Sequence, residues 1–106
     1  MYHFIGIKGA GMSALAVILK QLGNYVKGSD LPKHFFTESE LIKNHIPMTE
    51  YDAKNIHEGL TIIKGASITD DNVELIKAKE LGLKILGYEE MVGELTRKYK
   101  TICISG

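Results

Sequence analysis

The stretch FIGIKGAGMSALA, residues 4 to 16, constrains this chain more than any other. An apolar run breaks into glycines and continues as an amphipathic segment. "YHFIGI" (2–7) reads as a buried strand, and Met12, Leu15, Ala16, Leu19 and Leu22 follow at helical spacing until Gly23-Asn24 stops them. A strand that turns sharply into a helix is the opening of a βαβ unit, whose second strand must return parallel to the first.

The remaining residues repeat the alternation. "YVKGSD" (25–30) predicts a second strand, and "TESELIKNH" a helix in which Thr37 and Glu40 form a capping box. "IPMTEY" (46–51) is a weaker strand, where Pro47 points to a first residue or a sheet edge. "LTIIKGA" (60–66) predicts a central strand. A helix follows with Asp70 or Asp71 as N-cap and Gly82 as its stop, then a strand at 83–88. Met91, Val92, Leu95 and Tyr99 mark one face of a last helix, and "TICIS" (101–105) a sixth strand. The pattern predicts one α/β domain over 1–106, built on a doubly wound, mostly parallel sheet of five to six strands.

The glycines have a chemical reading. From Gly6 the G-x-G-x-x-G pattern is out of register, but from Gly9 "GAGMSA" fits it, with Ala14 in the last place. Gly9 would permit the tight turn, and Gly11 a close approach of backbone to ligand. Unpaired N–H groups from about Gly11 to Ser13 would then face a diphosphate, with the charge of Lys8 nearby. Asp30 ends the second strand about 20 residues on, where a carboxylate accepts from ribose hydroxyls. The alternative is a ligand-free turn with Asp30 capping a loop. Neither motif distinguishes a nicotinamide dinucleotide from a UDP-sugar.

Composition narrows the partners. Thirteen basic residues balance thirteen acidic ones, so no net field draws nucleic acid or an anionic membrane. No apolar stretch reaches the ~20 residues a bilayer requires, and "MYHFIGI" lacks the basic flank of a signal peptide. The single cysteine, Cys103, lies in an apolar run and reads as a core thiol. These features predict a cytoplasmic protein. His3, His34, His45 and His57 have no metal-ligand spacing and read as solvated or locally bonded, so no metal site is expected. "LTRKYK" (95–100) places positive charge at a helix end, and Phe35-Phe36 reads equally as core or as a ligand-facing lid.

Taken together, "HFIGIKGAGMSALA", "GSD" and "SITDDNVELIKAKELGLKIL" resemble the N-terminal domain of the Mur ligases of peptidoglycan synthesis, in order along the whole chain. The resemblance implies a Rossmann-like domain that binds UDP-N-acetylmuramate. It implies that the diphosphate lies on Gly9, Ala10, Gly11, Met12 and Ser13, and that Asp30 lies by the uridine. Ser67, Ile68 and Asn72 would line the crevice after the fourth strand, with Lys8 and Thr37 as lesser candidates. The implied reaction is ATP-dependent: the lactyl carboxylate becomes an acyl phosphate, and the amine of L-alanine attacks it. On this reading "ICISG" leads toward an ATP-binding loop. The chain is then a fragment without catalytic residues, inactive alone, whose ATP and Mg²⁺ sites lie in the rest of the ligase. The sequence departs from the family at three places: Lys8 replaces a glycine, Val73 a proline, and Glu50-Tyr51 stands where a Gly-His pair is frequent. A murein-tripeptide ligase shares the glycine turn. An NAD-binding or nucleotide-sensing regulatory domain would need only that turn and Asp30.

Overall fold

The computed structural model describes residues 1–32 and 37–98. Strands β1 (Tyr2–Ile5), β2 (Val26–Ser29), β3 (Met48–Thr49), β4 (Thr61–Lys64) and β5 (Ile85–Gly87) alternate with helices α1 (Ala10–Gln21), α2 (Glu38–Lys43), α3 (Val73–Glu80) and α4 (Tyr88–Lys98). A short 3-10 turn, Ala53–Asn55, precedes β4. Every strand pair is parallel, and the order across the five-stranded sheet is β3-β2-β1-β4-β5. The α/β class and the doubly wound parallel sheet follow the sequence reading. Tyr99, the expected strand at 101–105, Cys103, His34 and Phe35-Phe36 lie outside the described residues.

Two apolar cores sandwich the sheet because successive strand residues face opposite sides. Phe4, Ile63 and Leu86 face α1 and α4, where they pack with Leu15, Leu19, Met91 and Leu95. Ile5 and Ile62 face the other way, onto Leu75 and Ala78 of α3. β1 is buried on both faces from His3 to Ile5, which is why its sequence, His3 apart, does not alternate polar with apolar residues.

Several boundaries differ from expectation, each for a local reason. β1 and β4 stop short of their apolar runs because Gly6-Ile7 and Gly65-Ala66 turn into the loops at the carboxyl edge, while β5 starts at Ile85 and hands Tyr88 to α4. β3 keeps only Met48 and Thr49, on the sheet edge that Pro47 foretold. The cap of α3 is Asn72, whose Oδ1 accepts from the N–H of Glu74 over 2.9 Å. Asp70 instead pairs with Lys79 over 3.2 Å, and Asp71 accepts from the Thr69 hydroxyl. Thr37 makes no side-chain cap to α2; its hydroxyl donates to the Lys8 carbonyl over 2.6 Å. A long-range partner displaces the expected capping box.

Candidate functional site

The strand order reverses between β1 and β4, and a crevice opens there at the carboxyl edge of the sheet, as open α/β sheets dictate. A cavity of about 680 Å³ occupies it, within the range of small-ligand sites. Gly6 and Gly9 form its floor, Asp30 and Leu31 one wall, and Tyr51 another; the loop from Ser67 to Val73 closes the far side.

The glycine turn is built differently from the motif reading. Gly6 carries the left-handed conformation, at φ +90°, and Gly9 is extended at φ −61°, ψ 148°. Gly6 therefore makes the sharp turn, and Gly9 is the N-cap of α1. The N–H of Ser13 already donates to the Gly9 carbonyl over 2.8 Å. The unpaired set thus shifts one residue earlier, to the N–H groups of Ala10, Gly11 and Met12. Those groups point out of a twelve-residue helix at its positive end. Ala10 and Gly11 are exposed and the Met12 side chain is buried in the core; from this segment it is Gly6 and Gly9 that line the cavity. Gly11 has a second reason to be glycine: a Cβ there would stand 3.1 Å from Cε1 of the Tyr88 ring.

The structure gathers Gly9, Asp30, Ser67, Ile68 and Asn72 around the one cavity. Ser13 and Ala10 instead line a separate apolar hollow between α1 and α2, together with Thr37. The Ser13 hydroxyl donates to the Ala10 carbonyl over 3.0 Å. The ammonium of Lys8 donates to the Leu31 carbonyl over 3.0 Å and lies 3.6 Å from the Glu38 carboxylate. Its charge faces α2 rather than the glycine turn. Asp30 accepts the N–H of Lys8 over 2.8 Å and that of Leu31 over 2.7 Å, so its carboxylate also fastens the two loops it separates.

Sequence reasoning missed Tyr51, the aromatic side chain of the cavity wall. Burial, then the charges of Asp30 and Glu74, push its hydroxyl up to about 12, so it remains an O–H donor. Among the described residues the titratable groups lining this cavity are Asp30, Asp71 and Tyr51. Such walls suit a ligand's hydroxyls and amides, and the start of α1 suits its anionic part.

Beneath the cavity lies a second feature with no local sequence signal. His3 is fully buried, and its Nε2 donates to Oε1 of Glu74 over 2.7 Å, 71 residues away. It is neither solvated nor locally bonded, contrary to the sequence reading. Its Nδ1 is the buried side-chain atom without a partner among the described residues. Those residues contain no group of three or more His, Cys, Asp or Glu placed to hold a metal ion. None of their helices is long and apolar enough to cross a membrane.

Comparison with known proteins gives a consistent relationship. The model described as Mur ligase family, catalytic domain, matches residues 1–100. The UDP-N-acetylmuramate–L-alanine ligase of Levilactobacillus brevis is 48% identical over 106 residues, which is 100% of this chain and 24% of the relative. That of Lacticaseibacillus casei is 48% identical over 105 residues, 99% of this chain and 24% of the relative. Among solved structures, the UDP-N-acetylmuramate–alanine ligase of Thermotoga maritima superposes with a TM-score of 0.85 at 30% identity, covering 93% of this chain and 23% of that one. A Neisseria meningitides ligase, UDP-N-acetylmuramate:L-alanyl-gamma-D-glutamyl-meso-diaminopimelate ligase, gives 0.79 at 25% identity, covering 88% and 30%. The chain spans about a quarter of the length of the curated relatives it matches.

Proposed function

This chain belongs to the Mur ligase family, and on that premise we propose that residues 1–106 recognise UDP-N-acetylmuramate for a cytoplasmic, ATP-dependent ligase that joins L-alanine to it. The observation that carries the reading is one of geometry. Unpaired N–H groups of Ala10, Gly11 and Met12 open a helix beside a cavity of nucleoside size at the switch point of a parallel sheet. The diphosphate lies on those amides. The nucleoside enters the cavity, where Asp30 accepts from ribose hydroxyls and the ring of Tyr51 offers a face to the base. The side-chain amide of Asn72 and the hydroxyl of Ser67 supply further donors on the opposite wall.

Lys8 and Thr37 support this arrangement from behind, since Lys8 ties to Leu31 and Thr37 to Lys8. Ser13 acts through its place in the first turn of α1, because its hydroxyl is already bonded to Ala10. Amide formation, with the ATP and Mg²⁺ sites, belongs to other parts of the ligase, so residues 1–106 bind substrate without turning it over.

Calorimetric titration with UDP-N-acetylmuramate, UDP and NAD tests the reading. The UDP compounds should bind and NAD should bind more weakly. Tighter binding of NAD would favour a dinucleotide domain and sink the ligase assignment.

A further inference from the structure

The carboxylate of Glu74 lies under the crevice with 0% of its side chain exposed. A buried carboxylate persists when its lone pairs are met by donors, and here all of them are. Oε1 accepts from His3 Nε2 over 2.7 Å and from Ser29 Oγ over 2.5 Å. Oε2 accepts from Asn55 Nδ2 over 2.7 Å and from the N–H of Asp52 over 3.1 Å. The donors come from β1, β2 and the 3-10 segment, while Glu74 itself stands in the first turn of α3.

Two of these donors, and Glu74 itself, stand close in sequence to walls of the cavity. Ser29 precedes Asp30, Asp52 follows Tyr51, and Asn72 lies two residues before Glu74 and caps its N–H. We propose that Glu74 is a positioning residue for the nucleotide site, one carboxylate that fixes Asp30, Tyr51 and Asn72 relative to one another. Stability alone is a poor reason for this group, because well-packed apolar side chains commonly replace buried ion pairs at no loss. A fixed mutual geometry of three loops is something an apolar contact does not specify, since dispersion has no direction and these hydrogen bonds do. The proposal rests on the nucleotide reading of the crevice and deepens it.

Glu74→Gln tests it with three measurements on the same protein: the thermal midpoint, the UDP affinity by titration, and the backbone amide shifts without ligand. Glutamine keeps an acceptor for Asn55 and Asp52 but turns a donor toward His3 and Ser29. The expected result is a cooperative unfolding transition with UDP binding about tenfold weaker. Amide shifts should move at Asp30, Tyr51 and Asn72 and stay in place at Leu19 and Leu41, in the core on the far side of the sheet. Parental UDP affinity with unmoved crevice amides would overturn the proposal. So would shifts spread evenly through both cores, which is the mark of a merely structural role. If the parent itself binds no UDP compound, the nucleotide reading falls, and the ligand-free shifts still decide whether Glu74 positions the walls. Should Glu74→Gln not fold, Asn55→Ala removes one donor from a half-buried site and should weaken UDP binding about threefold, with the same localised shifts.

Discussion

The backbone N–H of Lys8 donates to Oδ2 of Asp30 over 2.8 Å, so the glycine turn after β1 is held by the end of β2. The other oxygen takes the N–H of Leu31, and one carboxylate sets the width of the crevice mouth.

Asp30→Ala should therefore act on stability as well as on binding. Two backbone N–H groups lose a charged acceptor, at a cost of about 2 kcal/mol, readable as a fall in the urea midpoint. Asp30→Asn keeps one acceptor oxygen and should cost less. UDP affinity should fall in both, and more in the alanine variant.

Gly11 separates ligand from packing. Gly11→Val should weaken UDP binding by about 2 kcal/mol or more, because its side chain occupies the space over the free amides. The Tyr88 ring also crowds that position, at 3.1 Å from where a Cβ would stand. Titrating Gly11→Val in a Tyr88→Ala background distinguishes the two causes. Persistent loss of affinity is expected; restoration would mean that the glycine serves the tyrosine. Ser13→Ala is the control and should change affinity by less than about 1 kcal/mol, since its hydroxyl already bonds to Ala10.

Gly28 should tolerate no side chain at all. A Cβ there would stand 2.6 Å from the Cβ of Ile7, so Gly28→Ala forces β2 and the glycine turn apart. The expected loss is about 3 kcal/mol in chemical denaturation. Ile7→Ala should not rescue it, because the offending carbon remains.

Stability should fall on the acid side through Glu74. Burial alone would raise its carboxyl, but the hydrogen bonds from His3, Asn55 and Ser29 outweigh it and hold the carboxyl below its ordinary 4.5. A group depressed in the folded state contributes stability above its unfolded value and loses it as pH falls through the folded value. Thermal midpoints measured from pH 7 down to pH 3 should decline below about pH 4.5, and Glu74→Gln should flatten that limb. On the alkaline side Tyr51 acts in the opposite sense: its hydroxyl is raised from 10.0 to about 12, so stability present below pH 10 is lost between pH 10 and about 12. Tyr51→Phe should flatten that limb.

The sheet was legible because its information is local. The consecutive buried residues of "YHFI" and "TIIK" and the helical spacing after Gly9 each sit within a few residues of the element they form. The glycine turn was legible as a turn, although the sharp residue is Gly6 rather than Gly9. What escaped the sequence is what crosses between elements. Thr37 reads as a cap until the Lys8 carbonyl claims its hydroxyl, and nothing local to Lys8 shows that its ammonium comes within 3.6 Å of Glu38. Asp70 and Asp71 each fit a cap as well as Asn72 does, and their competing partners Lys79 and Thr69 decide the matter. Nothing near His3 announces Glu74. A pair so distant in sequence leaves no periodic trace.

The central place of β1 has a consequence for how the protein is made. Its hydrogen-bonding neighbours are β2, starting at Val26, and β4, starting at Thr61. During synthesis this central strand leaves the ribosome before either neighbour exists. At about 5–20 residues per second it waits on the order of seconds for β4. For that interval Phe4 and Ile5 have no sheet to enter, and the nascent chain presents to chaperones, or to other nascent chains, the surface that the finished molecule hides most completely.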